Sequence, residues 1–233
     1  MLLSDKWNGA LRLRFDDPGR RNALSLDVVR ELHNQLLADP QRTVVLGSAD
    51  PVAFSSGVDT KVADEIRREI SAELYACYRT MITRPGPVIA VVEGTAVGGG
   101  AQLTTAADLR LAGPGARWRW VGAGHGLVVG AWVLPTLIGG GRANELILTS
   151  RWVSALEAVA IGLVSAVHDD PWAEADRLLR HLSTLDPSAV DRLKQCVVSA
   201  GLVAALETEC RANEQWEGRM RRPPAGTGLP AVP

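Results

Sequence analysis

Cysteine is scarce: Cys77, Cys196 and Cys210 are the only three in 233 residues, far apart and in no paired spacing. That excludes a disulfide framework and a cysteine-built metal or redox motif, and it fits free thiols in a reducing compartment. An excess of one charge is lacking too. Lys and Arg number 25 against 26 Asp and Glu, for a net charge of −1. That argues against nucleic acid or an anionic membrane surface as the main partner, although a local basic patch for a phosphorylated cofactor remains open. No apolar run reaches membrane-spanning length, and Met1 to Lys6 meets Asp5 before any signal-peptide core, so the expected location is the cytoplasm. His33, His168 and His181 show no metal-ligand spacing, and no internal repeat is evident. What is present is a chain of 233 residues, 46% hydrophobic, enough for one sizeable core, or a core with a small appendage, without metal or disulfide.

Local patterning indicates an α/β protein. Leu11, Leu13 and Phe15 alternate with Arg12 and Arg14 at the period of a half-buried strand, and Asp16-Asp17-Pro18-Gly19 breaks it. From Ser25, Val29, Leu32 and Leu36 recur at helical spacing until Asp39-Pro40, and an apolar strand follows at Thr43 to Gly47. This alternation favours a parallel sheet with crossover helices over a sandwich. Residues 62–82 carry a second helix, with Ile66, Ile70, Leu74 and Cys77 on one face and Asp64, Glu65, Arg67, Arg68 and Glu69 read as a solvated face. Downstream, Ser154-Ala155-Leu156-Glu157 reads as a capping box, Gly162 as a helix stop and Leu163 to Val167 as a short strand. Helices from Pro171, from Ser188 and from about Leu202 to Trp216 complete the chain, followed by a tail without core pattern from Arg221. The expected division is a core over 1–168, a helical region over 169–220 and a flexible tail over 221–233.

Two segments carry chemistry. Val88 to Val92 is a short apolar strand, Glu93-Gly94 a turn, and Gly98-Gly99-Gly100 opens a helix. Glycines let main-chain N–H groups approach a ligand, and the first helical turn adds free donors and partial positive charge. Such a turn can hold an anion or a carbonyl oxygen becoming one, but a glycine run between strand and helix also serves plain close packing. The second segment, Phe54-Ser55-Ser56-Gly57-Val58-Asp59-Thr60-Lys61, lies between the Val44 strand and a charged helix.

Together with Arg21-Asn22-Ala23-Leu24, Ala106-Ala107-Asp108 and Gly139 to Val164, these segments resemble, in order and spacing, the crotonase superfamily of enoyl-CoA hydratases and isomerases. The resemblance implies a spiral of ββα units with a short helical C-terminal region that packs against neighbouring subunits, in a homotrimer or dimer of trimers. It also implies an acyl-CoA ligand, with no cofactor beyond the coenzyme A of the substrate and no metal. By it, the N–H groups of Val58 and Gly99 would form an oxyanion hole. Arg21, Ala23, Ser56, Gly57, Asp59, Lys61, Gly98, Gln102 and Gly122 would surround substrate and coenzyme. Hydratases of the family use two carboxylates, at positions that here read Gln102 and, placed without a gap, Gly122. An amide cannot exchange a proton near neutral pH and glycine has no side chain, so hydration lacks its usual groups.

His125, three residues past Gly122, is a candidate substitute base, or simply a histidine in a glycine-rich loop. Asp59 could be a base, although an aspartate after a turn more often ties down backbone N–H groups. Lys61, Arg20 or Arg21 could meet a coenzyme phosphate. Trp118, Trp120 and Trp132 could wall an acyl pocket, fill the core or line a subunit contact. Three functions follow: a hydratase or isomerase, another enolate-forming enzyme such as a decarboxylase, and an acyl-CoA carrier without turnover.

Overall fold

The computed structural model describes residues 1–59 and 61–214; Trp216 and the tail from Arg221 onward lie outside the described residues. The chain opens with an antiparallel hairpin, β1 (Leu2–Trp7) and β2 (Ala10–Phe15). Asn8 and Gly9 join them, both at positive φ, the two-residue turn whose twist matches paired strands. Helix α1 (Leu26–Ala38) starts where the Ser25 hydroxyl accepts from the Val28 N–H, and it buries Val29, Leu32 and Leu36 as their spacing requires.

From there the chain repeats one device: a strand for a first sheet, a short strand for a second sheet, then a helix. The first repeat is β3 (Val44–Ser48), β4 (Ala53–Ser55) and α2 (Asp64–Thr83). The second is β5 (Val88–Val92), β6 (Thr95–Val97) and α3 (Gly99–Ala106). The third is β7 (Leu109–Ala112) and β8 (Arg117–Arg119), followed by a loop and then α4 (Leu134–Ile138) and α5 (Gly140–Thr149). The first sheet has the order β1-β2-β3-β5-β7, parallel from β2 onward. The second has the order β4-β6-β8-β9, where β9 (Val153–Ser154) is antiparallel to β8. This is the α/β spiral of ββα units anticipated from the sequence. Helices α6 (Ala155–Ala160), α7 (Pro171–Leu182), α8 (Pro187–Val198) and α9 (Leu202–Glu214) form the helical C-terminal region. Of these, α7 lies on the first sheet through Ala175 and Leu179, whereas α8 and α9 pack on α2 of the same chain.

Four local expectations are corrected. Leu163 to Val167 is not a strand: Leu163 and Val164 donate to the Ala158 carbonyl at the end of α6, and one bridge, Val167 to Ala112, is all that pairs with the sheet. On α2 the core face runs through Ile70, Leu74, Cys77, Tyr78 and Met81, so Ile66 is exposed. Arg67, assigned to the solvated face, is buried instead, its guanidinium donating to Asp64 and to the Val62 carbonyl. The capping box is half made. Ser154 accepts from the Glu157 N–H, but the Glu157 carboxylate goes to Arg151, where a guanidinium offers a stronger partner. The tryptophans are core: Trp118, Trp120 and Trp132 are all buried, with the Trp118 indole donating to Thr104.

Candidate functional site

The two chemistry-bearing segments meet because a third one braces them. Asn22 is buried and held at positive φ; its side chain accepts from the Asp17 N–H and donates to the Ser48 hydroxyl and the Ala53 carbonyl. The Arg21 carbonyl accepts from the Ser56 N–H, and the Leu24 N–H donates to the Gly57 carbonyl, so the Arg21 to Leu24 turn carries the Ser55 to Val58 loop on its back. Ser55 closes the knot, donating to the Asn22 carbonyl at 2.7 Å and accepting from the Gly57 N–H at 3.1 Å.

The loop then lies against the glycine run. Gly57 has φ +84°, and a Cβ there would stand 2.8 Å from the Val97 carbonyl oxygen and 3.6 Å from the Gly99 nitrogen. Gly98 has φ 53° and ψ −117°, a conformation essentially confined to glycine, which turns the chain from β6 into α3. The Gly99 carbonyl accepts from the Tyr78 hydroxyl at 3.1 Å, a bond that fixes the glycine backbone from α2. Among the described residues neither the Val58 nor the Gly99 N–H has a hydrogen-bond partner, although both residues line one cavity. The Gly99 N–H is also a first-turn donor of α3, with the favourable end of the helix dipole behind it.

That cavity, about 110 Å³, brings together Ser56, Gly57, Val58, Gly98, Gly99, Gln102, Gly122 and His125. Leu74, Val121, Leu127 and Val129 give it an apolar wall. Arg21, Ala23, Asp59 and Lys61 do not line it. Asp59 does what its position after a turn suggested, accepting from the Lys61 N–H at 2.8 Å, and it also pairs with Arg20 at 3.4 Å. Gln102 is buried, and its side-chain oxygen accepts from the Trp132 indole at 2.6 Å. Gly122 is closed in: a Cβ there would lie 2.5 Å from a Val129 methyl and 2.6 Å from the Leu127 carbonyl oxygen. Asp108 sits elsewhere, accepting from the Val88 N–H and from buried Lys194.

The sequence left several wall residues unmarked. Tyr75 and Tyr78, three apart on α2, face the cavity, as do Arg67 and Asn213. Behind Tyr75 stands Glu209 of α9, only 3% exposed. It accepts from the Tyr75 hydroxyl at 2.8 Å, from the Trp132 N–H at 3.0 Å and from the Gly130 N–H at 3.3 Å. Burial raises its carboxyl to about 7 against the pull of these donors. Helical spacing could have flagged the tyrosines, but a glutamate on a charged amphipathic helix reads as solvated until its neighbours are known. Among the described residues, no Asp or Glu lines the cavity itself.

The two-sheet ββα spiral sets two backbone N–H groups, without partners among the described residues, on the wall of one apolar cavity. The enoyl-CoA hydratase/isomerase family profile matches residues 5–220. EchA12 of Mycobacterium tuberculosis (strain ATCC 25618 / H37Rv), named a probable enoyl-CoA hydratase, is 37% identical over 221 residues, covering 86% of this chain and 78% of its own. YngF of Bacillus subtilis (strain 168) is 33% identical over 220 residues, covering 87% and 84%. The crystal structure of an enoyl-CoA hydratase from Bacillus anthracis superposes with a TM-score of 0.80 at 30% identity, covering 93% of this chain and 90% of that one. The chain belongs to the enoyl-CoA hydratase/isomerase family, within the crotonase superfamily.

Proposed function

We propose that the protein binds an acyl-CoA thioester with its carbonyl oxygen between the Val58 and Gly99 N–H groups, and that this pair stabilises the enolate. The observation that carries the reading is that both N–H groups lack partners among the described residues and border the same apolar cavity. One such donor is worth about 3 kcal/mol where charge develops on oxygen. Arg21 and Lys61, exposed on segments braced beside the cavity, are the cations offered to the coenzyme phosphates. No cofactor beyond the coenzyme A of the substrate is invoked, and the proposed assembly is a trimer or dimer of trimers in the cytoplasm.

Ordinary hydration is disfavoured in this reading because Gln102 and Gly122 occupy the positions where the family's hydratases carry carboxylates. The closure around Gly122 leaves no room for a longer side chain without moving the loop. The test is a calorimetric titration with butyryl-CoA and with coenzyme A alone, beside a crotonyl-CoA assay that follows loss of the conjugated double bond. Butyryl-CoA should bind more tightly than coenzyme A while hydration stays at background; equal or absent binding overturns the reading. The absence of a cavity carboxylate among the described residues also favours a carrier. A malonyl-type thioester separates that reading from a decarboxylase, since loss of carbon dioxide yields the enolate without a base.

A further inference from the structure

The Tyr75 hydroxyl is the meeting point of the cavity and α9. It donates to Glu209 at 2.8 Å and accepts from the Asn213 side chain at 2.7 Å, and both Tyr75 and Asn213 line the cavity. Tyr78, one turn further along α2, holds the Gly99 backbone, and the two rings stand 5.6 Å apart edge to face. Three residues of helix, about 4.5 Å of rise, therefore separate the phenol that bonds the Gly99 backbone from the phenol that meets α9. Among the described residues Glu209 is not part of the cavity lining, and its hydrogen bonds orient it toward Tyr75 and the loop at Gly130 to Trp132.

We propose that Tyr75 is the catalytic proton-transfer group of this site and that Glu209, acting through it, is the positioning residue that takes up and returns the proton. The inference rests on the acyl-CoA reading and deepens it to one reaction, a 1,3-proton shift that converts a 3-enoyl-CoA into a 2-enoyl-CoA. In the first half the Cα–H bond breaks and its proton goes to the Tyr75 oxygen, while the phenolic proton passes to the Glu209 carboxylate. The electron pair enters a dienolate whose negative oxygen lies between the Val58 and Gly99 N–H groups. In the second half Glu209 returns its proton to the phenolic oxygen, Tyr75 gives its own to Cγ, and the carbonyl re-forms with the double bond moved. Nothing is consumed, so no co-reactant is needed.

The proton has to pass through Tyr75 in one concerted motion. Burial and the adjacent Glu209 hold the phenol far above its ordinary value, so a free phenolate does not form. Glu209, raised to about 7 by burial, is suited both to accept and to return a proton near neutrality. Among the described residues, Arg67 of α2 lines the same cavity as Tyr75 and Asn213. Tyr75 and Tyr78 face Glu209 from α2, and Cys210 neighbours it on α9. Arg79 of α2 is taken up by Glu207, and the segment from Val128 to Trp132 carries no titratable side chain.

The experiment uses 3-butenoyl-CoA, following the conjugated product, with butyryl-CoA titrations and melting curves on every variant. Wild type should isomerise it, with a rate that rises with pH and levels off above about 7. Y75F should lose at least 100-fold in kcat with KM changed less than threefold, and E209Q should lose the pH dependence. A substrate dideuterated at C2 supplies a readout that needs no variant. In ordinary water the relay delivers deuterium to C4, whereas a solvent-open base such as His125 would wash it out. Undiminished turnover in Y75F, wash-out of the label, or intact butyryl-CoA binding with no isomerisation by wild type overturns the relay alone. Failure of wild type to bind butyryl-CoA overturns the ligand reading beneath it.

Discussion

The Trp132 indole donates to the Gln102 side chain at 2.6 Å, deep under the glycine cradle. Because an indole N–H can only donate, the atom facing it is the amide oxygen, and the NH2 end is the group Gln102 can offer to the cavity. The orientation of this cavity-lining amide is thus set by a tryptophan 30 residues away in sequence.

Trp132→Phe removes that bond but keeps an aromatic ring against Tyr78, on which Trp132 stacks with centroids 6.1 Å apart. Leaving the buried Gln102 oxygen without its donor costs about 1–3 kcal/mol, beyond the smaller loss of packed area. Urea unfolding should show that loss with an unchanged denaturant slope, and butyryl-CoA binding should weaken as Gln102 becomes free to rotate.

Gly98→Ala tests the cradle. At φ 53° and ψ −117° a Cβ is strained by about 1–3 kcal/mol, although the nearest obstacle, a Val121 methyl at 3.5 Å, leaves space for it. Strain rather than collision is therefore the expected cause. The backbone should relax by rotating the Gly98 to Gly99 peptide, so the Gly99 N–H turns away from the cavity. Titration should show weaker binding of butyryl-CoA with little change for coenzyme A alone, and enolate-dependent turnover should fall about 100-fold.

How far the sequence carries this fold depends on strand length. Val44 to Gly47 and Val88 to Val92 are buried on both faces and read as continuous apolar runs, so the first sheet was legible. The second sheet was not, because Ala53–Ser55, Thr95–Val97 and Arg117–Arg119 are three residues each, too short to show a period. Strand β1 escaped for a different reason: Leu2–Trp7 carries Asp5 and Lys6, and only the Asn8-Gly9 turn pairs it with β2. At the site, glycine positions were legible because backbone geometry is written in residue type. Arg67, Tyr75 and Glu209 were not, since their roles depend on which helix covers which loop.

Lys194 is a buried cation on α8, 8% exposed, whose ammonium donates to Asp108 at 2.8 Å, to the Met81 carbonyl at 2.8 Å and to the Gly86 carbonyl at 3.2 Å. It ties α8 to the end of α2 and to the start of β5. Lys194→Met keeps the stem but leaves two carbonyls and a carboxylate short of a donor, for a cost of about 3 kcal/mol. Asp108→Asn should cost less, because the asparagine still offers an oxygen to the ammonium, which also keeps the Met81 and Gly86 carbonyls. Denaturant midpoints of the two variants, compared at one pH, check the order.

Glu209 also gives stability a pH signature of unusual sign. Its carboxyl rises from 4.5 to about 7 on folding, chiefly through burial, so between those values the folded state binds more protons than the unfolded state. Stability contributed by this group is full below about 4.5 and is lost as pH rises through about 7, by about 3 kcal/mol. Two other ion pairs pull the other way: Arg12 lowers Asp5 and Arg151 lowers Glu145, so their contributions are lost only as pH falls below the ordinary carboxylate range. The windows do not overlap, and Glu209→Gln isolates the buried group. Plotted from pH 5 to 8, the unfolding free energy of wild type minus that of E209Q should slope downward. A flat difference would mean that the carboxylate titrates as though it were in water, and that α9 does not seal it against Tyr75.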